Sequence, residues 1–132
     1  MKYDRYTYRG RTTSLGKWMF GAYVLSLTEP HIMSDKALAA VDPATVGQCT
    51  GLSDKNGTAI FEGDVLDCGQ YADGEERLRI VCWSSELAMF GCQEIGHDVN
   101  EDWDGEPLGD YWINMERVGN IHDNPELLEV GT

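Results

Sequence analysis

Short strand-forming runs, each stopped by glycine, proline or an Asn/Asp turn, recur from one end of the sequence to the other. They restrict the chain to a fold built of short strands. Lys2 to Tyr8 is dense in β-favouring aromatics, with Tyr3, Arg5 and Thr7 on one face and Lys2, Asp4, Tyr6 and Tyr8 on the other. After the turn region Gly10 to Gly16, Trp18 to Leu27 reads as a second strand, able to pair with the first as a hairpin and ended by Glu29-Pro30. His31 to Met33 reads as a short third, and Ser34 to Ala40 suits a helical turn or a loop. The compact helix signal is Asp42-Pro43-Ala44-Thr45-Val46, with Asp as N-cap and Pro at the first helical position, held to about one turn by Gly47 and Gly51.

Further along, Asn56-Gly57 predicts a type I′ hairpin turn, followed by strand pieces at Ala59 to Phe61 and Asp64 to Cys68. Glu76 to Trp83 carries the clearest alternation: Leu78, Ile80 and Cys82 share one face, Arg77, Arg79 and Val81 the other. Leu87 to Ile95 is its expected partner, and Tyr111 to Ile121 returns to strand character. His122-Asp123-Asn124-Pro125 predicts a turn, with Glu126 to Val130 a short tail. Many short strands at this spacing with Gly-rich turns predict a small barrel or sandwich.

A chain of 132 residues is the size of one domain and buries roughly 68–70% of its unfolded surface, enough for a core without staples. No run reaches the roughly 18–20 apolar residues of a membrane span. Met1-Lys2-Tyr3-Asp4 leads into tyrosines and arginines, where a signal peptide would be apolar, so the expectation is a cytoplasmic protein.

Charge is divided unevenly along the chain. Residues 1–66 hold seven acids and seven bases; residues 67–132 hold sixteen acids and three bases, Arg77, Arg79 and Arg117, so the net charge of −13 lies in the second half. Glu94 to Asp110 contains seven acids and no Lys or Arg. Phosphate recognition needs clustered cations, so direct nucleic-acid binding is not expected there. Lys2, Arg5, Arg9, Arg11 and Lys17 face only Asp4 near the N-terminus, a basic segment suited to an acidic partner or to the acidic half of a second copy. Asp98, Glu101, Asp102, Trp103 and Asp104 are the candidate contact residues, because an aromatic among carboxylates can anchor a partner.

Nothing in the sequence spells out a catalytic or metal site. Cys49, Cys68, Cys82 and Cys92 form no C-x-x-C pair, and the last three lie within two residues of Val, Ile, Leu or Phe, as buried thiols do. His31, His97 and His122 are scattered, without H-x-H, H-E-x-x-H or G-x-S-x-G patterns. Asn100 to Gly105 opens like a calcium loop, yet Tyr111 stands where a bidentate Glu is required. Carboxylate pairs such as Asp102 with Asp104, or Glu75 with Glu76, are expected by chance among 23 acids. No cofactor is expected.

Two stretches carry a resemblance. Val41-Asp42-Pro43-Ala44-Thr45-Val46-Gly47-Gln48-Cys49-Thr50-Gly51-Leu52, continued by Asp54-Lys55-Asn56-Gly57, Ile60-Phe61 and Glu62-Gly63-Asp64, resembles the signature of the YopX family of phage and prophage proteins. Val118-Gly119-Asn120-Ile121-His122-Asp123-Asn124-Pro125-Glu126-Leu127-Leu128 resembles that family's closing signature. The departures are Ala39-Ala40 before Val41, Cys49 in place of an aromatic, and the acidic insert around Trp103. The resemblance implies a mainly β fold, a phage or prophage origin and a place in the bacterial cytoplasm; it supplies no activity and no catalytic residues. Gly63-Asp64-Val65-Leu66, followed by the Ile80 to Trp83 strand, also looks like the opening of an SH3-like barrel.

The expectation is therefore a single mainly β domain, with residues 1–40 as an N-terminal hairpin part and residues 41–132 as an SH3-like small barrel. Its expected role is non-enzymatic interaction or assembly with a protein partner or with itself. The alternative is an acidic mimic of DNA that occupies a basic, nucleic-acid-binding host protein.

Overall fold

The computed structural model describes residues 3–25, 28–70, 73–74, 76–95, 106–108 and 115–129. It is mainly β, as the strand patterning predicts. The chain divides into two compact units, Met1–Gly51 and Leu52–Thr132.

The first unit holds β1 (Tyr8–Arg11), β2 (Trp18–Val24), β3 (His31–Met33), β4 (Leu38–Ala40) and most of β5 (Gly47–Ser53), in the spatial order β4-β3-β2-β1-β5. The pairings within it are antiparallel. The sheet curls so that the end of β4 meets the end of β1. Thr12 bridges Val41, Asp42 N–H donates to the Arg11 carbonyl at 2.9 Å, and Thr13 N–H donates to the Ala40 carbonyl at 3.0 Å. Ile32, Val41 and Cys49 are its fully buried apolar side chains.

β5 crosses the boundary between units, and β6 (Ala59–Phe61) follows it in the sheet order. The second unit continues with β7 (Asp64–Gln70), β8 (Glu76–Ser84), β9 (Met89–Glu94), β10 (Glu106–Pro107) and β11 (Glu116–Asn120). These five form one antiparallel sheet in the order β10-β9-β8-β7-β11: a four-strand meander with the last strand placed beside the first, as in SH3-like barrels. Ile60, Leu66, Val81, Cys92, Leu108 and Met115 form its core, with Leu52, Cys68 and Phe90 packed against them. Among the described residues no helix is long and apolar enough to cross a membrane.

Several local expectations change. The first strand is Tyr8–Arg11 and not Lys2 to Tyr8, because Asp4 makes a turn: its Oδ1 accepts Tyr6 N–H at 2.9 Å and its carbonyl accepts Thr7 N–H at 3.0 Å. Ser34 to Ala40 resolves into a turn, where Ser34 Oγ accepts Lys36 and Ala37 N–H, followed by β4. Residues 41–51 belong with the first unit and not with the barrel, since Tyr8 and Arg9 pair with Gln48 and Gly47 and Thr45 Oγ1 accepts Arg11 N–H at 2.9 Å.

The Asn56-Gly57 turn is also a different one. A type I′ turn needs positive φ at both central residues, yet only Gly57 has it, at 84°. Gly57 N–H donates to Asp54 O at 3.0 Å and Asp54 N–H to Thr58 O at 2.8 Å, the pattern of a type I turn closed by a left-handed glycine. The Asp42 cap is found as predicted: its side chain accepts Ala44 N–H at 3.0 Å over the single 3-10 turn Pro43–Thr45. The expected tail contains a 3-10 turn, Pro125–Leu128.

Candidate functional site

The polar residues of the two signature stretches are taken up by the backbone. Asp54, almost fully buried, receives Asn56 N–H at 2.9 Å and Thr58 N–H at 2.8 Å on Oδ1, and Arg117 N–H at 2.9 Å on Oδ2. Burial pushes this carboxyl up, but the three backbone N–H donors and the nearby Arg117 charge outweigh it and hold Asp54 below the usual range. Asp64, with no exposed surface, accepts Phe61 N–H on Oδ2 at 2.7 Å and has Arg117 Nε 3.0 Å from Oδ1. Arg117 reaches both because β11 carries a bulge at Val118: Arg117 faces Leu66 while Gly119 faces Val65.

The closing signature builds a second such knot. Asn120, buried, accepts His122 and Asp123 N–H on Oδ1 at 2.9 and 2.8 Å and donates from Nδ2 to Asp123 Oδ2 at 3.0 Å. Asn124 Oδ1 accepts Asn120 N–H at 3.2 Å. Gly119 is required by space, since a Cβ there would strike Asn124 Oδ1 and the Leu127 side chain. Asp54, Asp64, Asn120 and Asn124 fix turns by accepting backbone N–H groups.

Each unit separately exposes a surface of different character. In the first, the register places Arg9 opposite Phe20, Arg11 opposite Trp18, Ala22 opposite Met33 and Met33 opposite Leu38, all on one face, with His31 between Val24 and Ala40. The guanidinium carbons of Arg9, which is buried, and of part-exposed Arg11 lie 4.9 and 5.2 Å from the Trp18 ring centroid. β1 to β4 contain no Asp or Glu. At the far end of the row, Met33 and Leu38 are exposed.

In the second unit the β8–β9 turn presents Trp83, edge-on to Phe90 with centroids 4.9 Å apart, together with exposed Leu87. Ala88 closes that turn at φ 51°, the one non-glycine with positive φ among the described residues. Three of this unit's bases have carboxylates beside them: Lys55 is 3.9 Å from Glu116, Arg79 3.8 Å from Glu94, and Arg117 3.0 Å from Asp64. Residues 52–132 hold nineteen acids against four bases, whereas residues 1–51 hold four acids against six bases.

A family profile described as YopX protein matches residues 4–129, through both units. The chain belongs to the YopX family. Among solved structures it is similar to protein EF1440 from Enterococcus faecalis, with a TM-score of 0.57 and 21% identity over 93% of this chain and 97% of that one, a likeness of fold. Among curated proteins nothing matches.

The candidate residues Asp98, Glu101, Asp102, Trp103 and Asp104 lie outside the described residues, as does the calcium-like stretch Asn100 to Gly105. Among the described residues no group of three or more His, Cys, Asp or Glu is placed to hold a metal ion. None of the four cysteines is in a disulfide, and burial, reinforced by the neighbouring Cys92, pushes the Cys68 thiol up to about 11 and the Cys82 thiol to about 12. A thiol raised so far is a poor nucleophile at neutral pH. The exposed pairs Met33 with Leu38 and Trp83 with Leu87 escaped sequence reasoning: the first needs the register of β3 against β4, the second the turn that ends β8.

Proposed function

We propose that this YopX-family chain is a non-enzymatic interaction or assembly protein of phage or prophage origin, working in the cytoplasm of a bacterial host with a protein partner or a second copy of itself. The observation that carries the reading is the division of charge between its compact units, a small positive excess in residues 1–51 and a large negative one in residues 52–132. Opposite surfaces on one chain favour association with oppositely charged protein surfaces. The fate of the signature polar groups supports it too. Asp54, Asp64 and Asn120 spend their hydrogen bonds on turns, which suits a scaffold better than a reaction.

Solution mass by light scattering, at low and at high salt, tests this. Salt shortens the Debye length from about 10 Å at 0.1 M to about 3 Å at 1 M, so charge-driven self-association weakens across that range. An oligomer that dissociates with salt supports assembly through opposed charges. A monomer at both salts removes self-assembly and leaves capture of another protein.

A second reading rests on the nineteen acids against four bases of residues 52–132, a density suited to imitating DNA phosphates before a basic host protein. Capture of such a partner that duplex DNA competes away supports the mimic; capture indifferent to DNA removes it.

A further inference from the structure

We propose that copies of this chain associate head to tail, the exposed Met33–Leu38 row of one copy seating the Trp83–Leu87 tip of the next. The inference rests on the assembly reading above and names its surfaces. Met33 is 50% and Leu38 53% exposed, and they lie side by side in register across β3 and β4, with Ala22 continuing the row on β2. Trp83 is 45% and Leu87 55% exposed at the β8–β9 turn. Large apolar side chains displayed together mark contact surfaces, and tryptophan is a favoured anchor in them.

Charge selects the occupant. The face bearing Met33 and Leu38 also bears part-exposed Arg11 and His31, with Arg9 buried in it; the strands that form it contain no acid, and in the β3–β4 turn exposed Asp35 is offset by exposed Lys36. The tip belongs to a unit with nineteen acids, and Glu86 stands exposed in the turn beside Leu87. A second copy therefore offers each surface an apolar partner of opposite charge. Because the two patches differ, the contact is heterologous, and such contacts form rings or open chains unless the geometry closes at two subunits.

Two variants separate the surfaces: Trp83→Ser with Leu87→Ser, and Met33→Ser with Leu38→Ser. Each keeps one patch intact. Light scattering on the full chain is expected to give a salt-sensitive mass above 14.7 kDa for the parent and about 14.7 kDa for each variant alone. An equimolar mixture of the two variants is expected to form a species of twice that mass and none larger, since one heterologous contact survives. That recovery also shows that both variants fold. A parent that is monomeric at low salt overturns the inference together with self-assembly. A parent oligomer that either variant leaves intact, or variants whose mixture stays monomeric, overturns the inference alone and leaves assembly through other surfaces.

Discussion

Arg117 holds two acids at once: its Nε lies 3.0 Å from Oδ1 of fully buried Asp64, while its backbone N–H donates to Oδ2 of Asp54 at 2.9 Å. The side-chain half of this arrangement is the costly one to break. Arg117→Ala leaves the Asp64 carboxylate buried without its cation, and breaking a buried pair from one side costs about 3–5 kcal/mol. Because the Arg117 side chain is 30% exposed, the lower end of that range is expected. Urea unfolding of the variant measures it. A loss under about 1 kcal/mol means that water screens the pair as it does at a surface.

Acid reaches the same region through Asp54. Its folded pKa is depressed, so the unfolded state takes up protons first as pH falls. The stability that Asp54 contributes is full above the unfolded value of about 3.9 and disappears as pH drops through the lower folded value. Asp54→Asn keeps an acceptor for the turn and removes the titration. Melting temperature against pH is expected to fall less steeply below about pH 4 in the variant than in the parent, using the same reference value. Equal slopes assign the acid sensitivity to other carboxylates.

The legible parts of this fold are those whose causes lie close in sequence. Asp42 caps the turn at Pro43–Thr45 with Ala44 N–H, two residues away, so the pattern Asp-Pro suffices to find it. The existence of a hairpin at Asn56-Gly57 is local in the same sense. Its turn type is not: the Asp54 carboxylate that holds it also takes the N–H of Arg117, 63 positions on. Alternation in β8 separates Arg79 and Val81 from Ile80 and Cys82, but it does not reveal that the arginine face is the core face. Arg79 is buried there because Leu66 lies opposite it on β7 and Glu94 on β9, partners set by register alone. The exposed Met33–Leu38 row is illegible for the same reason, since it exists only once β3 has paired with β4.

The Asn120 knot predicts a stability effect without any charge. Asn120→Ala removes the acceptor of the His122 and Asp123 N–H groups and the donor to Asp123, while Gly119→Ala presses a methyl onto Asn124. Unpaired donors cost roughly 1–3 kcal/mol each when water cannot reach them. Of the two donor residues His122 is at intermediate exposure and Asp123 is exposed, so water reaches them in part and a loss of roughly 2 kcal/mol is expected for Asn120→Ala. The two substitutions strike one network, and the double variant is expected to lose less than the sum of the singles in chemical denaturation. Strict additivity would separate Gly119 from the knot.

Ala88 gives the opposite sign. Its φ of 51° puts an L side chain in the left-handed region at the β8–β9 turn, which costs about 1–2 kcal/mol for a residue with a Cβ. Glycine escapes that cost but gives back roughly 0.5–1 kcal/mol through the freedom it restores to the unfolded chain. Ala88→Gly is therefore expected to stabilise the protein by up to about 1 kcal/mol, raising the denaturant midpoint at unchanged slope. The Trp83 to Phe90 contact on the flanking strands supplies an internal control, because its fluorescence keeps the parent's signature if the turn retains its shape. A midpoint that falls instead means that the Ala88 methyl makes packing contacts worth more than the strain it imposes.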